Sequence, residues 1–263
     1  MKQIRTIISK EWTDMVHNKL VLYLLILLPL LMTALPVGLL YFTGKAPVSQ
    51  RDLEEMGRML ANPIFGGMTP AEVMQSSMAS AMLLLFLLMP LAVPVTIAAY
   101  SIVGEKVERS LEPLLATPIT TTQLFLGKSI AAAAPAVVIT WFCYVVFLIF
   151  ARFFSVSERV FRLFIDPMWL VAMLLLVPLL TVLAVNVGII ISSRSTDPRA
   201  AEQMGALVVF PLIAFFLGVM AGFILLNMMT FLLTSAIVAA IDVGLVYAGV
   251  ALFQRETILT RWK

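Results

Sequence analysis

Long apolar runs separated by short polar segments dominate the chain of 263 residues. Six of the runs reach the roughly 20 residues that a helix needs to cross the hydrocarbon core of a bilayer. Lipid offers no hydrogen-bonding partner to backbone amides, so each run is predicted to be helical. The predicted spans are 20–42, 79–103, 129–150, 168–191, 204–226 and 229–253. The pattern indicates an all-α, polytopic membrane protein with a single transmembrane domain of six helices over residues 20–263.

The segment before the first span has apolar residues at helical spacing. Ile4, Ile8, Trp12 and Met15 share one face of a helix, and the opposite face is polar. This predicts a cytoplasmic amphipathic interface helix over residues 1–19, lying in the membrane surface with Trp12 at headgroup depth. A lipid anchor with no further role is an alternative that the pattern leaves open.

Two segments carry the signature of a helix start. Thr69 supplies a capping hydroxyl, Pro70 is a proline in the first turn, and Glu72 is a carboxylate at the third position. The second helix is therefore expected to begin outside the membrane, before its apolar run. Thr120 with Gln123 is a second capping box, which opens the third span.

The connection between the fifth and sixth runs is ambiguous in the sequence. Little more than Asn227 and Met228 separates the two runs. They can be two full helices joined by a tight turn. Alternatively, the chain breaks near Gly218 and Gly222 and re-enters the outer leaflet.

Composition and charge support a membrane location and give an orientation. Hydrophobic residues make up 61% and charged residues 13% of the chain, against about 45–50% and 25% in soluble domains. The net charge of +3 is too small to indicate nucleic-acid binding. Twelve of the 18 Lys and Arg residues fall on the side of both termini and six on the other side. Because cytoplasmic loops are enriched in basic residues, both termini are predicted to be cytoplasmic.

The loop of residues 104–128 is the most informative polar segment. Ser110 is a candidate N-cap for a new short helix. Leu111, Leu114 and Leu115 give that helix an apolar face, and Pro118 ends it. The loop is thus predicted to hold a short amphipathic helix at the cytoplasmic surface, whose leucines contact either lipid or another protein.

Three segments of the chain carry a family resemblance. The loop reads GEKVERSLEPLLATPITTTQLFLGK, Lys10-Glu11-Trp12 precedes the first span, and the tail over 252–259 reads LFQRETIL. Together with the length and the span count, these segments resemble the permease subunits of type-2 (ABC-2 type) ATP-binding-cassette exporters. The chain departs from the family pattern at Ser110, where a glycine-threonine type of turn is expected.

The resemblance implies a mechanism and a set of partners. The loop helix would be a coupling helix, seated in a groove of a separate ABC ATPase subunit. Two ATPase copies would bind ATP and Mg²⁺, and substrate would pass between this chain and a second permease chain, identical or different, in the plasma membrane. The ATPase contacts implied are Glu105, Glu108, Arg109, Leu111, Glu112, Leu114 and Leu115, supported by Lys10, Glu11 and Trp12.

Catalytic chemistry is not indicated. Gly127-Lys128-Ser129 imitates the end of a phosphate-binding loop, but Thr122 stands where that motif needs its first glycine. One His and one Cys cannot build a transition-metal site, and no protease or lipase motif is present. We therefore expect no catalytic, cofactor or metal site and no ATPase activity of the chain itself. An ATPase-independent secondary transporter or channel is the competing class.

Asp242 is the one charged residue inside the six predicted spans. A carboxylate near the bilayer centre is costly, so Asp242 is expected to face protein or water. Asn186 in the fourth span is its candidate partner. The functional interpretation is a cation, proton or cargo contact, and the alternative is a packing hydrogen bond made by a protonated Asp242. The nearly uncharged spans suit hydrophobic or amphipathic cargo, unless their apolar side chains simply face lipid.

Overall fold

The computed structural model describes residues 2–17, 19–45, 67–107, 120–195, 197–221 and 223–252. Helices account for nearly all of these residues, and no strand occurs among them. The predicted all-α class is therefore confirmed. In chain order the helices are α1 Lys2–His17, α2 Lys19–Lys45, α3 Pro70–Leu83, α4 Met89–Val107, α5 Thr121–Phe154, α6 Glu158–Phe164, α7 Pro167–Val171, α8 Val177–Arg194, α9 Pro198–Ala206, α10 Phe210–Met220 and α11 Met228–Leu252.

Six helical stretches of the described chain are long and apolar enough to cross a membrane, as predicted. Three of them are composite, because short 3₁₀ turns join α3 to α4 and α9 to α10, and a π turn over Ala172–Leu176 joins α7 to α8. The Trp141 indole donates to the carbonyl of Met173 in that π turn, at 2.7 Å. The stretches, called the first to sixth spans below, are Val21–Lys45, Pro70–Ala98, Thr122–Phe154, Glu158–Arg194, Arg199–Val219 and Met228–Gly249.

Both predicted helix starts are confirmed. Thr69 accepts from the Glu72 amide, and the Glu72 carboxylate accepts from the Thr69 amide at 2.7 Å. The same reciprocal pair of bonds joins Thr120 and Gln123 at the start of α5. The second span therefore begins at Pro70, nine residues before its predicted apolar run at 79.

The connection between the fifth and sixth spans is a turn. Helix α10 ends at Met220, and α11 begins at Met228. The amides of Phe223 and Ile224 both donate to the carbonyl of Gly218. The fifth span therefore ends before the predicted limit at residue 226, because these bonds cap α10, and no re-entrant helix occurs among the described residues of this connection.

The second span is the centre of the bundle. Phe86 and Leu87 are fully buried within it. The fourth span lies directly against it, since a β-carbon added at Gly188 would stand 2.8 Å from that of Ala98. Small residues at such crossings let helix backbones approach closely, which is how membrane helices gain packing energy.

On the side of the bundle that the charge pattern places outside the cell, one buried amide joins three spans. Gln75 of the second span donates to the carbonyls of Leu40 and Phe154, both at 2.9 Å. Its side-chain oxygen accepts from the Val156 amide at 2.7 Å. Gln75 thus satisfies backbone groups at the ends of the first and third spans and fixes their spacing.

Candidate functional site

Helix α1 packs along the start of the third span. Its buried stripe is Ile7, Glu11 and Met15, each at most 9% exposed. These positions are four residues apart and share one face. Ile8 and Trp12 of the predicted apolar face lie beside this stripe, and the Trp12 side chain is 46% exposed. The contact face was missed because one of its three members is a carboxylate.

A buried ion pair holds α1 to the third span. Lys128 Nζ lies 2.6 Å from Glu11 Oε1, and the two side chains are only 1% and 10% exposed. Charges out of water are tolerated when they are paired and hydrogen-bonded. The side chain of Glu11, expected to support an ATPase contact, is thus directed into this chain.

Two further contacts flank the ion pair. The Trp12 indole nitrogen donates to the carbonyl of Ala131 at 3.0 Å. A β-carbon added at Gly127 would stand 3.0 Å from Ile7 Cγ2, so Gly127 leaves room for that side chain. The contact region, called the inner latch below, consists of Ile7, Glu11 and Trp12 on α1 and Gly127, Lys128 and Ala131 on the third span.

The inner latch joins two segments that are distant in the sequence. Glu11 and Lys128 are 117 positions apart, yet both belong to segments that carry the family resemblance, Lys10-Glu11-Trp12 and the Gly-Lys pair that closes the loop. Gly127-Lys128-Ser129 lies inside helix α5, and its lysine binds a carboxylate. The apparent end of a phosphate-binding loop is therefore a helix-docking surface.

The polar face of α1 remains at the protein surface. Lys10 and Asp14 are exposed. They belong to a broad surface depression of about 650 Å³, whose described lining residues are Arg5, Thr6, Ser9, Lys10, Thr13 and Asp14. Of the three α1 residues predicted to support the ATPase contact, Lys10 is the one on this face.

Of the remaining predicted contacts, Glu105 lies in helix α4, which ends at Val107. Residues 108–119 lie outside the described residues, and with them Glu108, Arg109, Leu111, Glu112, Leu114 and Leu115. The loop returns to the bundle at Thr120. Lys128 lies about two turns of helix beyond that point. The described end of the loop, at Thr120, is therefore on the same helix as Lys128 of the inner latch.

Asp242 is buried in the interior, at 5% exposure, as its position in the sixth span predicts. Within the described part of the chain, neither of its carboxylate oxygens has a hydrogen-bond partner, and neither does the side-chain nitrogen of Asn186. The predicted Asp242–Asn186 bond is therefore wrong.

Helix register explains why the two side chains miss each other. The fourth and sixth spans are in register where Trp169 packs on Phe231, with ring centres 5.6 Å apart. At about 1.5 Å per residue, Asp242 lies roughly 17 Å along its helix from that contact and Asn186 roughly 25 Å along its own. The two are thus offset by about one and a half turns of a helix.

Ser129 adds a third buried polar group without a described partner. It lies on the same face of the third span as Phe125, and a β-carbon added at Gly249 would stand 2.7 Å from the Phe125 ring. Gly249 is on the same face of α11 as Asp242. The third and sixth spans therefore pack together at Phe125 and Gly249, on the faces that carry Ser129 and Asp242.

Comparison with known proteins gives one family. The family model described as "ABC-2 family transporter protein" matches residues 5–255, which includes the inner latch, the loop and all six spans. No curated protein matches the chain at a significant level. The chain belongs to the ABC-2 transporter family and is a multi-pass membrane component of a transporter.

Proposed function

We propose that the chain is the permease subunit of an ATP-driven exporter and moves substrate across the plasma membrane between two permease chains. Two copies of a separate ABC ATPase would bind and hydrolyse ATP with Mg²⁺, and the chain itself would hold neither. The observation that carries the proposal is the inner latch. It unites two family-like segments at the end of the bundle where the loop of residues 104–128 emerges.

The proposed ATPase-docking site combines that loop with the exposed polar face of α1. The loop supplies leucines for a hydrophobic groove, and α1 supplies both basic and acidic side chains beside it. Interfaces of this kind join an apolar centre to a polar rim. Glu11 then contributes by holding α1 in place, while Lys10 faces the partner.

Replacing Leu111 and Leu115 together by aspartate tests the docking site. Two carboxylates in an apolar groove have no partner, so the ATPase should no longer co-purify with the permease. The matched control replaces the same two leucines by methionine, which keeps the apolar surface and should keep the ATPase bound. Retention of the ATPase and of transport in the aspartate variant would show that the loop is not the docking site.

The proposed orientation places both termini in the cytoplasm. Single cysteines at Gln50, Glu108 and Lys263, in a Cys143→Ser background, can be labelled from outside intact cells with a membrane-impermeant maleimide. Gln50 alone should react. Labelling at Glu108 or Lys263 from outside would contradict this topology.

A secondary transporter or channel is the second candidate, and the observation that favours it is Asp242. A buried carboxylate without a described partner is a typical feature of cation and proton pathways. Such a protein would transport without an ATPase subunit. The family match favours the ATP-driven proposal, and hydrophobic or amphipathic cargo fits the nearly uncharged spans.

A further inference from the structure

A buried ion pair is an unusual way to attach a surface helix. Apolar side chains of similar size would hold α1 to the third span at least as well, because desolvation of two charges offsets most of their attraction. The best-attested role of buried charges is instead to fix one register between two helices. Glu11 and Lys128 meet this description, since both are buried and their charged atoms are 2.6 Å apart.

Sliding or rotation of α1 would be costly. A shift by one residue turns Glu11 by about 100° around the helix and leaves Lys128 buried without its partner. The same shift breaks the bond between Trp12 and the Ala131 carbonyl, and it moves Ile7 out of the space that Gly127 leaves for its side chain. Three contacts of different chemistry therefore select the same register.

We infer that the Glu11–Lys128 pair makes helix α1 and the third span move as one body, so that Glu11 and Lys128 are positioning residues for transport. The inference rests on the proposed function, because it is the ATPase that displaces α1. The polar face of α1 receives the displacement, and the pair passes it to the third span. The third span is thereby driven from its side as well as through the loop that precedes it.

Two single-cysteine reporters in a Cys143→Ser background separate these steps. Val16→Cys reports on α1, where the native side chain is 63% exposed, and Leu126→Cys reports on the third span, where it is 41% exposed. Each is labelled with a polar maleimide in the complex with its ATPase, reconstituted in nanodiscs. Labelling rates are compared without nucleotide and with ATP and vanadate.

With the native pair, both reporters should change their labelling rate on ATP binding. In Glu11→Gln or Lys128→Gln, the ATP-dependent change in labelling rate at Val16→Cys should persist. The change in labelling rate at Leu126→Cys should fall about fivefold or more, which is the lower end of the usual range for coupling between two sites. The charge-exchanged variant, Glu11→Lys with Lys128→Glu, should restore it. The control is Glu158→Gln, which breaks an exposed pair with Arg152 on the opposite side of the membrane and should change neither reporter.

Each other outcome has a defined meaning. Three results overturn the inference. In the first, the labelling rate at Leu126→Cys does not change with ATP in the native pair. In the second, both reporters still respond to ATP in the single variants, and in the third, both lose their response together. If the single variants do not accumulate, the charge-exchanged variant decides, and failure to restore both accumulation and the Leu126→Cys response overturns the inference. If the unmodified chain does not co-purify with the ATPase, it is the proposed function that fails.

Discussion

The second and fifth spans are both apolar enough to cross a membrane, but their surroundings in the fold are opposite. Their mean hydropathies are 2.4 and 1.8, yet 72% of the apolar stretch of the second span is buried and only 6% of that of the fifth. Hydropathy reports the transfer of a helix into lipid and says nothing about which of its faces meets protein. The comparison shows that the fold is organised around the second span and leaves the fifth at its edge.

The fifth span is attached mainly at its N-terminal end. Thr96 of the second span donates to the Glu202 carboxylate at 3.3 Å, and a β-carbon added at Gly205 would collide with Val95. Farther along, Phe210 and Leu217 are 62% and 58% exposed. We propose that the second permease chain covers this outer part, because the proposed transport path lies between two copies.

The largest expected effect is in the second span. Phe86 is fully buried and packs edge-on against the rings of Tyr144 and Phe147. Phe86→Ala should lower the free energy of unfolding by about 3–5 kcal/mol, as for large core truncations. Phe210→Ala, the matched change in the fifth span, should cost no more than about 0.5 kcal/mol. Denaturant titration of the detergent-solubilised monomer measures both, and equal losses would contradict the burial difference.

The second expected effect concerns the partner of the fifth span. Phe210→Asn with Leu217→Asn should weaken association of two permease chains by about 1 kcal/mol or more for each side chain, if these residues lie in the centre of that interface. The control is Phe142→Asn with Ile149→Asn, two exposed residues of the third span. Single-molecule photobleaching counts the copies. An unchanged count in the fifth-span variant would assign this surface to lipid.

The sixth span is a third case, because it is only 22% buried yet carries the buried Asp242. If Asp242 has only a packing role, Asp242→Asn keeps a polar group of the same shape and should retain assembly and transport, whereas Asp242→Leu should lower the yield of complex. ATP hydrolysis and transport are measured on the same purified complex. Loss of transport in Asp242→Asn, with hydrolysis intact, would place the carboxylate in the transport pathway.

The smallest effect should be the same in both spans. Thr69 caps the second span and Asp197 caps α9 at the start of the fifth, each by accepting a backbone amide. Replacement of either by alanine should cost about 1 kcal/mol, because a cap acts on one helical turn whatever the helix packs against. The same denaturant titration applies. A much larger cost at Thr69 would mean that the outer end of the second span depends on more than its cap.

Local features of this fold were predictable from the sequence, and distant pairings were not. The helix starts at Thr69 and Thr120 follow from residues three positions apart, and both predictions are confirmed. The inner latch depends on Glu11, whose carboxylate argues against a buried helix face in the sequence alone. Its partner Lys128 is 117 positions away, so the pairing becomes visible only in the fold. Opposite charges near the ends of two helices, on the same predicted side of the membrane, are the signal that could have found it.

The predicted Asn186–Asp242 contact failed for a related reason. Both residues were correctly expected in the interior, because buried polar groups in spans face protein. Their relative height depends on the axial register of two helices that are not consecutive in the chain. The Trp169–Phe231 contact sets that register, and no sequence pattern within either helix specifies it.

The mass of the purified complex tests the central claim most directly. Native mass spectrometry of the chain, co-expressed with its ATPase and extracted from membranes, should show two permease chains and two ATPase subunits. A permease that is recovered without an ATPase, and that transports in vesicles lacking ATP, would contradict the account and favour the secondary-transporter alternative.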